Sequence, residues 1–337
     1  MKKYLVISND KIFIRKKKIS SNFNDTINVI ESIGKKFQIF LLARNVKREN
    51  SFSTKIKNKI SGVNFTDISN FYKNSNFKIF MISLTLRNLI NFFIIKFLIK
   101  KTSGYLYLRS DGHKEYKKKI GFIGFFFYNI MLNQLKKNLK IISVSNKIYH
   151  SSSKLIIFPS ELNDLWFSKD KKVNTDQAKL LYLGRIKEEK GIFSLLELVK
   201  KFKIDFKLSI VGGDKYLKRN SKITFFKQIS NQREIIKLYD RHNIFILPSY
   251  TEGAPKVLLE SLARLRPVII FNEIKHVRLK FKGIFICNRK SHDLEKKIKY
   301  ILKNYIKIQK SMKKNILPTK KSFQKELINI LDDSFKR

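Results

Sequence analysis

The chain has 337 residues, enough for two domains of ordinary size and too many for one. Hydrophobic residues make up 43% and aromatics 13%, so packed cores are available and general disorder is excluded. The net charge of +46, from 72 Lys+Arg against 26 Asp+Glu, narrows the partners to anionic ones: nucleic acid, a membrane face or an anionic substrate.

That charge is spread rather than focused. Residues 1–170 hold 32 basic and 10 acidic side chains, and the remainder hold 40 and 16. Lysine supplies 58 of the basic residues and arginine 14, whereas bidentate recognition of bases and phosphates favours arginine. With Asn, Ile and Phe abundant too, the excess reads as the drift of an AT-rich genome, and no nucleic-acid partner is expected. The lone cysteine, Cys287, excludes an internal disulfide and a cysteine-built metal site.

In chain order, Met1–Asp10 has two lysines and a short apolar run ending at Ser8-Asn9-Asp10, which predicts a first strand at Tyr4–Ser8 rather than a signal peptide. Further strands are predicted at Phe37–Ala43, Lys78–Ile82, Gly104–Leu108, Lys140–Ser145 and Lys154–Phe158, with Asn45–Lys59 read as loop plus a polar helix. Ile79–Ile99 and Ile120–Leu135 are apolar, but a spanning helix needs about 20 apolar residues, so neither qualifies. Each reads as a buried helix; the alternative is an interfacial helix resting on anionic lipid with lysine flanks. The expected location is cytoplasmic, with a peripheral position on the inner face of the cell membrane as the membrane-associated form. Pro159–Lys179, rich in charge and turn residues, reads as the linker.

Beyond it, short apolar runs alternate with helical patterns: Lys179–Leu183, Phe206–Val211, Lys222–Phe226, Asn243–Leu247, Pro267–Phe271 and Gly283–Cys287. Ile192, Leu195, Leu196, Val199 and Phe202 form one helical face, and Glu234–Tyr239 offers a shorter helix. Strands alternating with helices predict α/β, doubly wound parallel sheets, two such halves facing a cleft.

Three motifs carry chemistry. Gly184-Arg185…Lys190-Gly191 lies between a strand and a helix, where an anion is stabilised and two cations stand five residues apart. Gly212-Gly213-Asp214 ends a strand, so backbone approaches a ligand there or makes a tight turn. Leu247-Pro248-Ser249-Tyr250-Thr251-Glu252-Gly253-Ala254-Pro255, running into Lys256–Ala263, turns from strand into helix and spaces Glu252 and Glu260 by eight residues. This arrangement suits a nucleoside diphosphate sugar: one carboxylate for sugar hydroxyls, amides near Ala254–Leu258 for the diphosphate, a second carboxylate for the ribose.

From Leu180 to about Phe285 the order Gly-Arg…Lys-Gly, Ile-Val-Gly-Gly, Leu-Pro-Ser…Glu-Gly…Glu and Pro-Val-Ile resembles the donor domain of GT-B glycosyltransferases, in particular the retaining glycosyltransferase family 4. The resemblance implies two Rossmann-like domains: 1–165 for the acceptor, 166–315 for the nucleotide-sugar donor, and 316–337 as a helix packing back on the first. It implies that Arg185 and Lys190 hold the donor diphosphate and that Glu252 bonds the donor sugar, these three being the catalytic set. Glu260 would take the ribose, with Gly184, Gly212, Gly213, Gly253, Ala254, Val257 and Leu258 completing the donor pocket and Gln228 and Ile229 near the base. Asp111 and His113 are the acceptor candidates, against the plainer reading of Asp111-Gly112 as a turn. One departure is Leu265, where the family usually has glycine.

The implied function is retaining, metal-independent transfer of a sugar from a UDP- or GDP-type donor to a glycan or lipid-linked acceptor in bacterial surface polysaccharide or lipopolysaccharide synthesis. No cofactor and no metal are expected, and no Asp-x-Asp occurs in the chain. The alternatives are a GT-B sugar-nucleotide epimerase, a phosphorylase-like enzyme, a non-catalytic relative, and, from another class, a basic nucleic-acid-binding protein.

Overall fold

The computed structural model describes residues 2–15, 18–21, 23–48, 54–56, 60–72, 77–99, 102–146, 148–149, 155–167, 173–213, 221–278 and 281–335. The chain divides into two units, Met1–Pro159 with Lys320–Arg337, and Ser160–Thr319.

The first unit runs β1 (Lys3–Arg15), β2 (Lys18–Ser21), α1 (Asn24–Gly34), β3 (Gln38–Asn45), β4 (Thr54–Lys55), β5 (Ile60–Gly62), α2 (Phe65–Tyr72), β6 (Phe77–Ile82), α3 (Leu86–Leu98), β7 (Gly104–Leu108), α4 (Gly112–Lys136) and β8 (Leu139–Ser143). Strands β5, β3, β1, β6, β7 and β8 lie side by side in parallel, with pairs such as Leu5↔Phe40, Leu5↔Ile79 and Leu106↔Ile141. Central parallel strands are covered on both faces, and Tyr4, Val6, Phe80, Leu106 and Ile142 are accordingly buried.

Several expectations are corrected here. The first strand, expected at Tyr4–Ser8, does not stop there: alternating Ile12 and Ile14 carry it on to Arg15, past a register irregularity between Ile7 and Lys11, and it then pairs antiparallel with β2. The stretch read as loop plus polar helix contains strand β4, paired antiparallel to β2, while residues 49–53 and 57–59 lie outside the described residues. Lys154–Phe158 reduces to a single bridge, Ile156 to Ser143, with Lys154 outside the described residues. Ile79–Ile99 is not one helix but strand β6 followed by α3, which Thr85 caps by accepting from the Asn88 amide. Nor is the Ile120–Leu135 run buried throughout: only part of it faces the core.

The second unit runs β9 (Ala178–Leu183), α5 (Ile192–Lys200), β10 (Phe206–Gly213), β11 (Ile223–Lys227), α6 (Gln232–Arg241), β12 (Ile244–Leu247), α7 (Lys256–Ala263), β13 (Val268–Phe271), β14 (Ile284–Cys287), α8 (Ser291–Lys303) and α9 (Tyr305–Met312). Its six strands lie in the order β11-β10-β9-β12-β13-β14, all neighbours parallel. The sequence-predicted runs match them closely, because strands buried on both faces read as continuous apolar stretches. The stretch expected as linker is partly structure: Leu162 and Trp166 are buried in this unit, the Trp166 ring packing on Tyr239 with centroids 5.9 Å apart.

Helix α10 (Lys320–Asp333) returns to the first unit and packs on α1. Phe323, Leu327 and Leu331 form its buried stripe. The buried Tyr4 hydroxyl donates to the Leu331 carbonyl at 2.8 Å, and Tyr105 donates to the Ile330 carbonyl at 2.9 Å. Lys2 and Lys36 both pair with Asp332 and hold its carboxyl down at about 2. Leu331→Ala should therefore destabilise the chain by about 2–5 kcal/mol. Urea unfolding checks this, and a change within experimental error would mean that α10 adds nothing to the first unit's core.

Candidate functional site

The site is built from loops at the C-terminal ends of the second unit's strands, where ligands bind in open parallel sheets. Strands β9 and β10 end together: Leu183 pairs with Val211, and the Gly184 amide donates to the Val211 carbonyl at 2.9 Å. Gly212 has φ +122, and a Cβ there would run into the Gly184 carbonyl oxygen. Its glycine is thus required by backbone approach alone. Asp214, which follows in the motif, lies outside the described residues.

After Gly184 the Tyr182 hydroxyl donates to the Arg185 carbonyl at 2.7 Å and pins the loop, leaving the Arg185 side chain exposed. Burial pushes the Tyr182 hydroxyl well up; Glu252 adds to that shift and Arg185 opposes it, so both charges act on this one hydroxyl. A short turn, Glu188–Lys190, then ends at Gly191, φ +66, which opens α5. A side chain at Gly191 would strike the Pro248 carbonyl, and the Tyr250 amide donates to the Glu189 carbonyl at 3.0 Å. The loop after β9 is thereby held against the loop after β12, backbone to backbone.

That contact sets the central charges. Lys190 Nζ lies 2.7 Å from Glu252 Oε1, and the Ser249 hydroxyl donates to the same oxygen at 2.6 Å. His276 Nε2 donates to the Glu252 carbonyl at 2.8 Å, fixing the backbone beneath the carboxylate. Arg289 braces the loop from behind: its guanidinium lies 4.2 Å from the Tyr250 ring centroid and 4.3 Å from that of Phe271, and donates to the Pro248 carbonyl at 2.9 Å.

Helix α7 follows, with Pro255 as its N-cap. The expected row of amides from Ala254 to Leu258 is shorter than the sequence suggests. Leu258 is fully buried core, and its amide donates to the Pro255 carbonyl at 3.2 Å. Gly253, Ala254 and Val257 remain half-buried. Glu260 keeps some solvent contact, yet desolvation pushes its carboxyl up to about 7 against the opposing pull of Tyr239 and Lys256. The Tyr239 hydroxyl lies 3.2 Å from Glu260 Oε2 and 3.1 Å from the Val257 carbonyl, tying α6 to α7. Gln228 is exposed and Ile229 half-buried, just past the edge strand β11.

So Gly184, Lys190, Gly212, Gly213 and Glu252 sit at adjoining strand ends, with Arg185 beside them and Glu260 about one turn into α7. Sequence reasoning missed Tyr182, Tyr239, Ser249, His276 and Arg289. Ser249 and Tyr182 had a local signal, each three residues from the partner it bonds, Glu252 and Arg185; Tyr239, His276 and Arg289 reach the site from elements distant in sequence.

In the first unit the two acceptor candidates have local duties. Asp111 caps α4 by accepting from the Lys114 amide at 3.2 Å, and the His113 ring packs on Phe125 and Tyr128, with centroids 4.8 and 4.7 Å away. The polar cluster at these strand ends is instead Arg109, which donates to Ser83 at 2.9 Å, to Thr26 at 2.8 Å and to Asp10 at 3.1 Å.

The Glu260 carboxyl gives a pH signature. Folded, it holds its proton up to about pH 7; unfolded, it releases it at the ordinary 4.5. Its contribution to stability is then fully present below the unfolded value and is lost as pH rises through about 7. Urea unfolding at acidic and at alkaline pH should show that loss in the wild type and less of it in Glu260→Gln. An equal loss in the variant would assign the titration to another group.

Residues 166–317 match the family model of the glycosyl transferases group 1. TuaC of Bacillus subtilis, named as a glycosyltransferase of teichuronic acid biosynthesis, is 32% identical over 121 residues. CapM of Staphylococcus aureus, a capsular polysaccharide biosynthesis glycosyltransferase, is 30% identical over 118 residues. The matched stretches cover 32% and 30% of this chain and 30% of the length of each relative. Among solved structures, Anabaena HepE in complex with UDP-glucose superposes with a TM-score of 0.68 at 10% identity, covering 98% of this chain and 99% of that one. WaaG, involved in lipopolysaccharide biosynthesis, gives 0.65 at 12% identity over 97% of this chain and 99% of that one. The two doubly wound units have the GT-B fold of these structures, and residues 166–317 are similar to the glycosyl transferases group 1.

Proposed function

We propose that this chain is a glycosyltransferase that moves a sugar from a UDP- or GDP-type nucleotide sugar to a glycan or lipid-linked acceptor in bacterial surface polysaccharide synthesis. The observation that carries the reading is the Lys190–Glu252 pair, held at 2.7 Å by two strand-end loops locked to each other. The relatives named for teichuronic acid and capsular polysaccharide synthesis support the pathway class, and the HepE complex supports a UDP-sugar donor.

The second unit binds the donor. An ammonium offers three donors, and Glu252 takes one, so Lys190 retains N–H groups for diphosphate oxygens. Arg185, exposed beside the same loop, adds a second cation. Together they offset the charge that develops on the departing diphosphate, which is the role a metal would otherwise fill, so we assign a metal-independent reaction. Lys190 and Ser249 both bond Oε1 of Glu252, which leaves Oε2 to accept from a donor-sugar hydroxyl. Glu260, shared with Tyr239, accepts from the ribose hydroxyls. The first unit binds the acceptor. Transfer proceeds with retention at the anomeric carbon, as in the family whose motif order this chain shares.

Arg185→Ala and Lys190→Ala should each lower turnover by about 10²–10³ while circular dichroism stays unchanged. Near-normal turnover in both would overturn the assignment. A thermal-shift screen with UDP, GDP and their sugars identifies the donor, with stabilisation by one nucleotide class expected. NMR of the new linkage then reads its stereochemistry; an inverted anomeric centre would remove the retaining mechanism and leave the donor site intact.

A further inference from the structure

We propose that Arg289 is a positioning residue of the donor site, holding Lys190 and Glu252 in the arrangement that binds a nucleoside diphosphate without itself touching the nucleotide. The proposal rests on the donor reading of the Lys190–Glu252 pair given above. A guanidinium offers N–H groups around its edge and two flat faces to aromatic rings. Arg289 uses both. Nε donates to Glu273 Oε1 at 2.7 Å, Nη2 to the Pro248 carbonyl at 2.9 Å and Nη1 to the Ser194 hydroxyl at 3.4 Å. The ring centroids of Tyr250 and Phe271 lie 4.2 and 4.3 Å from its central carbon.

These partners come from different elements of the second unit. Arg289 stands just beyond the end of β14, Phe271 ends β13, and Glu273 lies in the turn Asn272–Arg278 that follows. Pro248 and Tyr250 belong to the loop after β12, and Ser194 lies in the first turn of α5. One side chain thus ties the ends of three neighbouring strands to the start of the helix that follows Lys190.

Two routes lead from it to Glu252. Along the first, the Pro248 carbonyl is the group against which Gly191 is packed. A Cβ on Gly191 would run into that oxygen and would lie 3.3 Å from Arg289 Nη1. Arg289 therefore borders the junction that sets the Lys190–Glu252 distance. It also holds the residues on either side of Ser249, whose hydroxyl donates to Glu252 Oε1. Along the second, the bond to Glu273 fixes the turn that carries His276, and His276 donates to the Glu252 carbonyl. Both the carboxylate and the backbone of Glu252 are anchored through Arg289.

Charge and cover argue against a direct contact with the diphosphate. The Glu273 carboxylate offsets the guanidinium charge, the Arg289 side chain is only 15% exposed, and each of its nitrogens is already bonded. Removing it would take a donor from the Pro248 carbonyl and free the loop that presents Ser249 and Glu252. Affinity would then be lost through Lys190 and Glu252, not through a missing phosphate contact.

A double-mutant cycle on the full chain, read by titration calorimetry with UDP and with GDP, tests this. Arg289→Ala should weaken binding of the nucleotide that the wild type takes by about tenfold. Lys190→Ala/Arg289→Ala should bind no more weakly than Lys190→Ala alone, because residues that act through one another are not additive. Guanidinium ion, too dilute to unfold the chain, should restore affinity to Arg289→Ala and do nothing for Lys190→Ala, a recovery that a role in folding alone would not give. Arg289→Lys keeps the charge and stem, so its melting temperature should be unchanged. It should still bind several-fold more weakly, because an ammonium has no flat face or fork. Wild-type affinity in both Arg289 variants would overturn the proposal. So would losses that multiply in the cycle, which would make Arg289 a direct phosphate ligand, or a loss that follows the melting temperature without guanidinium rescue. Weak binding by Lys190→Ala beside normal binding by the Arg289 variants removes the positioning role alone. Normal binding by Lys190→Ala, or binding of neither nucleotide by the wild type, removes the donor reading with it.

Discussion

The close approach of Gly191 to Pro248 is the contact on which the second unit's site depends. It brings the loop after β9 and the loop after β12 to backbone distance, and the Tyr250–Glu189 hydrogen bond closes the join. Lys190 precedes this glycine and Glu252 follows that proline by four residues. Their 2.7 Å separation is therefore fixed by main chain rather than by two long side chains finding each other. An exposed ion pair ordinarily contributes little, because ordering its side chains costs entropy. Here the side chains are largely covered and the backbone has already absorbed that cost, which is what a preorganised electrostatic site requires.

What the sequence disclosed follows the same physics. The second unit's strands were legible because each is buried on both faces, and the glycines and carboxylates were legible because they sit at fixed offsets from strand ends. Tyr239 and Arg289 were not, since each reaches the site from an element more than twenty residues away, a proximity that no local pattern records. Charge was a poor guide in the other direction. Arg264 and Arg266, two residues apart in a lysine-rich chain, are both buried around Asp240, Arg264 Nε bonding its carboxylate at 2.9 Å. The first unit was harder to read because its edge strands are short and polar and because α3 and α4 carry apolar residues on two faces. Periodicity detects a stripe but does not say which of two stripes faces the core.

Leu265 shows how a departure from a family pattern is absorbed. The structure places it at φ +52, the left-handed region where glycine is usual. A non-glycine residue there costs about 1–2 kcal/mol. Leu265 is also buried, and burying a leucine side chain is worth about 1.5–3 kcal/mol. Packing thus offsets the backbone strain, and Gln309, which donates to the Leu265 carbonyl at 3.1 Å, secures the turn from α9.

The return of α10 has a consequence for how the chain is assembled. The second unit is one uninterrupted stretch, whereas the first is completed only by residues at the far end, through bonds such as Tyr4 to Leu331 that span 327 positions. During synthesis the first unit emerges with the apolar surface around Tyr4 and Phe37 uncovered until α10 has left the ribosome. The second unit, which carries the candidate site, needs no such distant segment to complete its core.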